Sequence, residues 1–339
     1  MSKWRDLWQI ARTIGRGRLI NLILLWSSFY LSKISKRPIL WGEPFSLSIE
    51  PTTACNLGCP ECPSGLKQFT RPTGKLDLNL HSEILQHVKR HVFYINYYFQ
   101  GEPFLHPQFL ELIKEAKKIG VYTATSTNAH FIDQQKAKEI IESGLDRLII
   151  SIDGLSQETY ENYRIHGSLN KVLEASKHLI AAKKASSSKT PHLIFQFLVV
   201  RQNEHEVPAV LALGKELGID EVRMKTAQFY SYENGNELMP KNTEYSRYKL
   251  QKNGKYKLKY STKNECWRMW SSSVITWDGR VVPCCFDKDA THQLGQLGET
   301  DFAAIWRSNA YQSFRRNILT GRNSIDICKN CSEGAKVWV

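Results

Sequence analysis

Between Phe45 and about Tyr230 the chain alternates short apolar runs with amphipathic stretches, and no other feature limits its fold so strongly. The apolar runs are Phe45–Glu50, Phe93–Phe99, Tyr122–Thr127, Arg147–Ile152, Leu193–Val200 and Glu221–Lys225. Helical periodicity marks the stretches near 80–91, 108–118, 133–143, 168–184 and 204–217. Strand and helix in alternation imply a parallel sheet with helical crossovers. The spacing predicts an α/β fold, a partial (β/α)6 TIM-like barrel, whose active site lies at the C-terminal ends of its strands. The most unusual residues stand there. A cysteine-rich loop follows the first strand, Gln100-Gly-Glu-Pro103 the second, Ser126-Thr-Asn128 the third and Ser151-Ile-Asp153-Gly the fourth. Each is also compatible with an ordinary turn.

The loop after the first strand holds Cys55, Cys59 and Cys62, spaced C-x3-C-x2-C. Three close thiolates hold three corners of an iron–sulfur cube and leave the fourth iron open, as a catalytic metal site requires. Half of a zinc site, completed from elsewhere, is the competing reading of the spacing alone.

The triplet resembles that of the radical S-adenosylmethionine (SAM) enzymes, and the strand-end residues extend the resemblance over residues 45–230. The resemblance implies a 4Fe–4S cluster on Cys55, Cys59 and Cys62, with SAM on its open iron. Gly101 and Glu102 then match the position that accepts the SAM ammonium. Thr127, Asn128 and Ser151 match positions that hold the ribose and carboxylate. Arg164 resembles an arginine aimed at that carboxylate, and Asn203 is a further candidate. Two positions depart from the pattern: Glu61 stands where an aromatic residue is usual, and Gln100 replaces a glycine.

Eight cysteines in 339 residues, grouped rather than scattered, suit metal binding better than disulfides. Cys266, Cys284, Cys328 and Cys331 form a second group, spaced C-x17-C-x43-C-x2-C. Asp278-Gly279 between apolar runs predicts a β-hairpin that presents Cys284. Four thiolates close a site, as zinc or as an auxiliary 4Fe–4S cluster; the spacing permits both. The group resembles the SPASM and "twitch" extensions of radical SAM enzymes, which implies a single auxiliary cluster in a small hairpin, loop and helix domain. Cys285 is left as an idle thiol or an acid/base group. Four regions follow: an arm at 1–44, the barrel at 45–230, a basic linker at 231–265 and the cluster domain at 266–339.

The net charge is +13, and residues 1–40 carry eight basic residues against Asp6, a net +7. Trp4, Leu7, Trp8, Ala11 and Ile14 recur at helical spacing, and Leu19–Leu31 is strongly apolar but too short to span a bilayer. No cleavage site marks a signal peptide. The arm either docks on the protein or lies in a membrane interface, with Trp4, Trp8 and Trp26 at headgroup level. No nucleic-acid module is present, so no nucleic-acid partner is expected. The expected location is the cytoplasm, with peripheral contact at the inner face of the membrane.

The resemblance implies reductive cleavage of SAM to a 5′-deoxyadenosyl radical, fed by a donor such as flavodoxin or ferredoxin. The expected reaction is a net oxidation of a small or lipid-linked molecule, aided by the auxiliary cluster. Only about 44 residues precede the first strand, too few for the leader-binding domain of many peptide-modifying relatives. A peptide maturase is the alternative, and a non-catalytic metal scaffold a second. Asp153, Glu233 and His292 have no place assigned by sequence.

Overall fold

The computed structural model describes residues 2–333. Six parallel strands follow the expected order: β1 (Ser46–Ile49), β2 (Tyr94–Asn96), β3 (Tyr122–Thr127), β4 (Arg147–Ser151), β5 (His192–Val199) and β6 (Glu221–Thr226). Each pairs with the next, so the sheet is the partial (β/α)6 barrel. β2 is shorter than the apolar run around it. Residues 97–99 leave the strand to reach the turn at Gly101.

Five helices, Leu78–Val88, Phe109–Lys118, Gln134–Glu142, Leu169–Ala185 and Val207–Leu217, cover the outer face. Their starts are set by side-chain caps. Asp77 accepts from the N–H groups of Asn79 and Leu80, Asp133 from Lys136, and Ser168 from Lys171. Apolar residues at helical spacing, such as Phe109, Leu112, Ile113 and Ala116, pack against Leu47, Ile95, Leu148 and Phe195 of the strands.

The inner face is different. Along β1, Leu47 and Ile49 are buried under the helices, whereas Ser46 and Ser48, facing the other way, are only half-buried. Asn96, Ser126, Ile149, Gln196 and Lys225 are likewise half-buried. A closed TIM barrel fills this space with side chains; here the lumen stays partly open and mostly polar.

The C-terminal cysteine region is joined to this sheet. β9 (Ser272–Ile275) pairs in parallel with β1, Ser46 opposite Ser272, and β10 (Arg280–Val282) and β11 (Gly295–Gln296) follow antiparallel. The hairpin turn falls at Gly279, whose φ of 85° suits glycine. One nine-stranded sheet therefore carries both cysteine groups. The segment 231–265, expected as a linker, contains a second hairpin, β7 (Tyr248–Leu250) and β8 (Tyr256–Leu258).

The arm forms two helices, α1 (Ser2–Arg12) and α2 (Arg16–Ser35), and it is docked. Asp6 pairs with Arg147 and accepts from the Tyr122 hydroxyl, and Lys3 pairs with Glu221. Those partners open β4, β3 and β6, so α1 closes the bottom of the barrel, away from the strand ends that carry the cysteine loop. The Arg18 guanidinium donates to the carbonyls of Lys89, Ile119 and Gly120, the orphan acceptors at two helix ends. No helix among the described residues is long and apolar enough to cross a membrane.

Candidate active site

The cysteine loop is built by its own backbone and by one buried ion pair. Glu50 ends β1, and Arg71 lies beyond the loop. Arg71 grips Glu50 through two hydrogen bonds, 2.8 and 2.6 Å, with side chains 2% and 0% exposed. The guanidinium also stacks over Phe69 at 4.6 Å, and Trp277 donates its N–H to Glu50. The pair staples the two ends of residues 50–71 together. Within the loop, Cys62 N–H donates to the Cys59 carbonyl, and Gly58 N–H to that of Ile165. A Cβ on Gly65 would lie 2.6 Å from the Cys59 nitrogen, so only glycine lets the short helix Pro63–Leu66 pass there.

Glu61 has a clear task. Its carboxylate accepts from the Tyr230 N–H at 2.9 Å and from the Asn236 amide at 3.2 Å. The departure from an aromatic residue ties the cysteine loop to the 230–240 segment.

The turn after β2 is packed against the same loop. Gly101 has φ 75°, and a Cβ there would sit 2.2 Å from the Thr52 carbonyl. Its N–H donates to the Ser64 hydroxyl, and that of Glu102 to the Ala54 carbonyl at 2.7 Å. The buried Glu102 carboxylate accepts from the Thr127 hydroxyl and the Asn128 N–H, both at 2.7 Å, and from the Phe104 N–H. Burial pushes Glu102 up to about 7, against those hydrogen bonds. Asn128 also reaches Asn56 in the cysteine loop at 2.8 Å. Gly101, Glu102, Thr127 and Asn128 are thus one bonded group, with buried Ser151 at the end of the adjacent β4.

Arg164 lies elsewhere than a free carboxylate clamp would. It pairs with buried Asp153 at 2.5 Å and points Nη1 at the Cys59 sulfur, 3.7 Å away. Asp153 also accepts from the Leu198 N–H. Asn203 is consumed by backbone: it accepts from Val200 N–H and donates to the carbonyls of Asp153 and Leu198. It caps a turn and has no spare group for a cofactor. Glu233 is exposed, and His292 pairs with Asp326.

The second group lies across the lumen. Cys266, Cys328 and Cys331 are buried, with Cys284 partly so. Their charges act on one another: Cys266 and Cys331 on Cys284, and Cys331 on Cys328. The Arg322 guanidinium donates to the Cys331 sulfur at 3.2 Å, and the Glu333 N–H at 3.3 Å. Cys285 stands close to this group: its charge acts on Cys284 and on Cys331, and with Cys284 it lines a cavity of about 220 Å³ beside Ser46, Ser48, Arg268 and Val274.

Several groups feel the charges of both cysteine regions. The charges of Cys62 and Cys285 both reach Tyr98, whose hydroxyl burial pushes up to about 12. Both also reach Lys288, which donates to the Tyr230 hydroxyl at 3.0 Å. Lys225, at the end of β6, feels Arg247, Cys285 and Asp153, and burial brings it down to about 8.

The donors suit iron–sulfur clusters. Burial raises the Cys55 and Cys328 thiols to about 11 and Cys266 to about 12, so these sulfurs lose their protons only to a metal. Each group also faces a buried polar atom without a partner among the described residues: the Tyr160 hydroxyl beside Cys59 and Arg164, and Arg322 Nε beside Cys266 and Cys331. No three cysteine, histidine or acidic side chains among the described residues close on a single-ion point.

Comparison with known proteins agrees. The radical SAM superfamily model matches residues 49–213, and the SPASM iron-sulfur cluster-binding domain residues 266–332. A tungsten-containing aldehyde ferredoxin oxidoreductase cofactor-modifying protein from Pyrococcus furiosus is 28% identical over 315 residues, 84% of this chain and 86% of that protein. The PqqA peptide cyclase of Gluconobacter oxydans is 27% identical over 264 residues, 72% and 70% of the two chains. The crystal structure of Streptococcus suis SuiB bound to its precursor peptide SuiA superposes with a TM-score of 0.63 at 15% identity, covering 91% of this chain and 74% of that one. At that identity the likeness speaks for the fold alone. The triplet on its loop, the quartet across the lumen and the two matching models agree: this chain belongs to the radical SAM superfamily, carries a SPASM extension, and uses SAM with 4Fe–4S and auxiliary iron–sulfur clusters.

Proposed function

We propose that this protein oxidises a peptide side chain or backbone by radical chemistry, with the substrate in the lumen between the two cysteine groups. When bound, the cluster and SAM supply a 5′-deoxyadenosyl radical, which takes one hydrogen atom from the substrate.

The observation that carries the reading is the shared space. Tyr98 and Lys288 each feel the charge of Cys62 in the triplet and of Cys285, the neighbour of Cys284, so a group held beside them would be within reach of both cysteine regions. Beside it runs a second cavity of about 290 Å³, lined by Leu66, Tyr230, Phe286, Lys288 and Ile327. A second cavity beside the lumen leaves room for residues flanking the reacting one, as a peptide requires. The likeness to the PqqA peptide cyclase favours the same substrate class, against the small or lipid-linked molecule that the sequence favours.

The chain's own residues take these roles. Cys55, Cys59 and Cys62 would hold the first cluster, and Cys266, Cys284, Cys328 and Cys331 the second. The backbone at Gly101 would take the SAM ammonium. Glu102 acts as a positioning residue, since its carboxylate is already bonded to Thr127 and Asn128. Thr127, Asn128 and Ser151 would hold the SAM ribose and carboxylate. Arg164, held by Asp153, places positive charge against the Cys59 sulfur. A two-electron oxidation would also release a proton from the substrate, and Lys225, which burial brings down to about 8, would accept it in its neutral form.

The test uses anaerobically reconstituted protein, SAM, dithionite and a fully deuterated cell extract split into peptide-bearing and small-molecule fractions. Deuterium entering 5′-deoxyadenosine from the peptide fraction supports the reading. Transfer only from the small-molecule fraction overturns it.

A further inference from the structure

The arm is an amphipathic helix turned inside out. The buried face of α2 is Asn21, Leu25, Ser28, Phe29 and Ser32, three polar residues among five. Asn21 exchanges two hydrogen bonds of 2.8 Å with the Glu43 backbone, and Ser32 binds the backbone of Ile39. The outward face is apolar. Ile20, Ile23, Trp26 and Ile34 of α2 and Trp4 and Trp8 of α1 are each more than half exposed. A surface helix ordinarily buries such a stripe. Twelve of the eighteen exposed large apolar side chains among the described residues fall within residues 4–41. A patch of that kind marks an interaction surface.

We propose that this face docks the enzyme on an anionic lipid bilayer, lying in the interface rather than crossing it. Charge selects the occupant. Residues 1–41 carry eight basic side chains, among them the exposed Arg5, Arg12, Arg16, Lys36 and Arg37. Their one acid, Asp6, is buried against Arg147. A second copy would set one strongly positive face on another, which like-charge repulsion opposes. Anionic headgroups complement it, at a gain of several-fold in affinity per cation. The exposed indoles of Trp4, Trp8, Trp26 and Trp41 suit headgroup depth. Lipid requires no rearrangement of the arm, because its polar side is already bonded to the barrel.

The geometry also sets an orientation. The arm closes the barrel bottom, and strands of up to eight residues separate it from the cysteine loop. The mouth therefore faces away from the lipid, standing roughly 20 Å above it. Docking serves to place the enzyme, and the substrate enters from the aqueous side.

The test is flotation of the reconstituted holoenzyme with phosphatidylcholine–phosphatidylglycerol vesicles and with pure phosphatidylcholine vesicles. Binding is expected to the first, on the order of tenfold weaker to the second, and weaker at high salt. Ile20→Glu/Ile23→Glu/Ile34→Glu is expected to lower it by a further order of magnitude. These side chains point outward, so iron content and melting temperature should stay unchanged. Arg12→Gln/Arg16→Gln, which spares the apolar face, should weaken only the phosphatidylglycerol-dependent part. Absence of flotation, or flotation untouched by the triple variant, overturns the proposal. So does a dimer, seen by light scattering, that the triple variant splits in protein that never floats.

Discussion

Arg71→Met removes the cation that staples the cysteine loop. In the native protein Glu50 and Arg71 are 0% and 2% exposed and share two charge-assisted hydrogen bonds. Without Arg71, the Glu50 carboxylate keeps only the Trp277 N–H at 3.3 Å. A buried charge that loses its partner costs about 3–5 kcal/mol, two to four decades in the unfolding equilibrium. Glu50→Gln/Arg71→Met removes both charges and should cost less than Arg71→Met alone, by about 1–3 kcal/mol. Burial already raises the Glu50 pKa in the folded state. Loss of Arg71 raises it further, so the folded variant binds a proton more tightly than the unfolded chain. Stability of the variant is then highest at low pH and falls as pH rises through the folded pKa. The deficit relative to native protein must therefore grow from mildly acidic to alkaline pH. Urea unfolding of the apo-protein at several pH values measures all three quantities, and iron counting after reconstitution reports the loop. A cost under about 1 kcal/mol, a pH-independent deficit, or additive single variants would refute the argument.

Gly101→Ala puts a Cβ 2.2 Å from the Thr52 carbonyl at φ 75°; a loss of about 2 kcal/mol or more and of the triplet's iron is expected, read by thermal melting and iron counting. Glu102, raised to about 7 by burial, contributes stability that is full below its unfolded pKa and fades as pH rises toward 7. The span is at most about 3 kcal/mol, and Glu102→Gln should flatten it in a pH series of melts. Cys285→Ser should keep both clusters' iron and Cys284→Ser should lose the second cluster; the reverse pattern would exchange their roles, and equal iron would refute the assignment. Glu61→Ala frees the Tyr230 and Asn236 donors and should cost about 1 kcal/mol, with faster hydrogen exchange near 230–240 and unchanged iron.

The barrel was legible because each of its strands announces itself locally. Period and turn chemistry depend on near neighbours, and so do the cysteine spacings. What was illegible depends on partners far along the chain. Nothing local in Ser272–Ile275 says that it lies beside β1, which precedes it by more than 220 residues. Glu50 reads as a strand-end acid and Arg71 as a loop cation; only the fold closes them on each other. Asn203 carried a cofactor expectation because it follows β5, yet its amide is spent on backbone. A short polar side chain just past a strand satisfies orphaned peptide groups as readily as it meets a ligand. The motif singled out Arg164 for a carboxylate; in the fold it pairs with Asp153 and points at the Cys59 sulfur.

The arm shows why periodicity alone misjudges a helix. An apolar stripe at helical spacing fixes that one face avoids water, without saying whether protein or lipid covers it. Docking and membrane contact look like rivals on that evidence. The structure makes them compatible, because different faces of the same helices serve each. Lys3, Asp6 and Arg18 bind the barrel through polar groups, and Asn21 and Ser32 bind the 39–43 segment that leads into β1, which leaves the apolar stripe outward. The consequence reaches the reaction. A lipid-linked substrate would have to travel from the bilayer at the barrel bottom to a mouth on the opposite end. A peptide from the aqueous side would meet the cavity at Tyr230 and Lys288 directly. With the arm docked on lipid as proposed, that orientation and the cavity beside the lumen favour the same class of substrate, from opposite ends of the barrel.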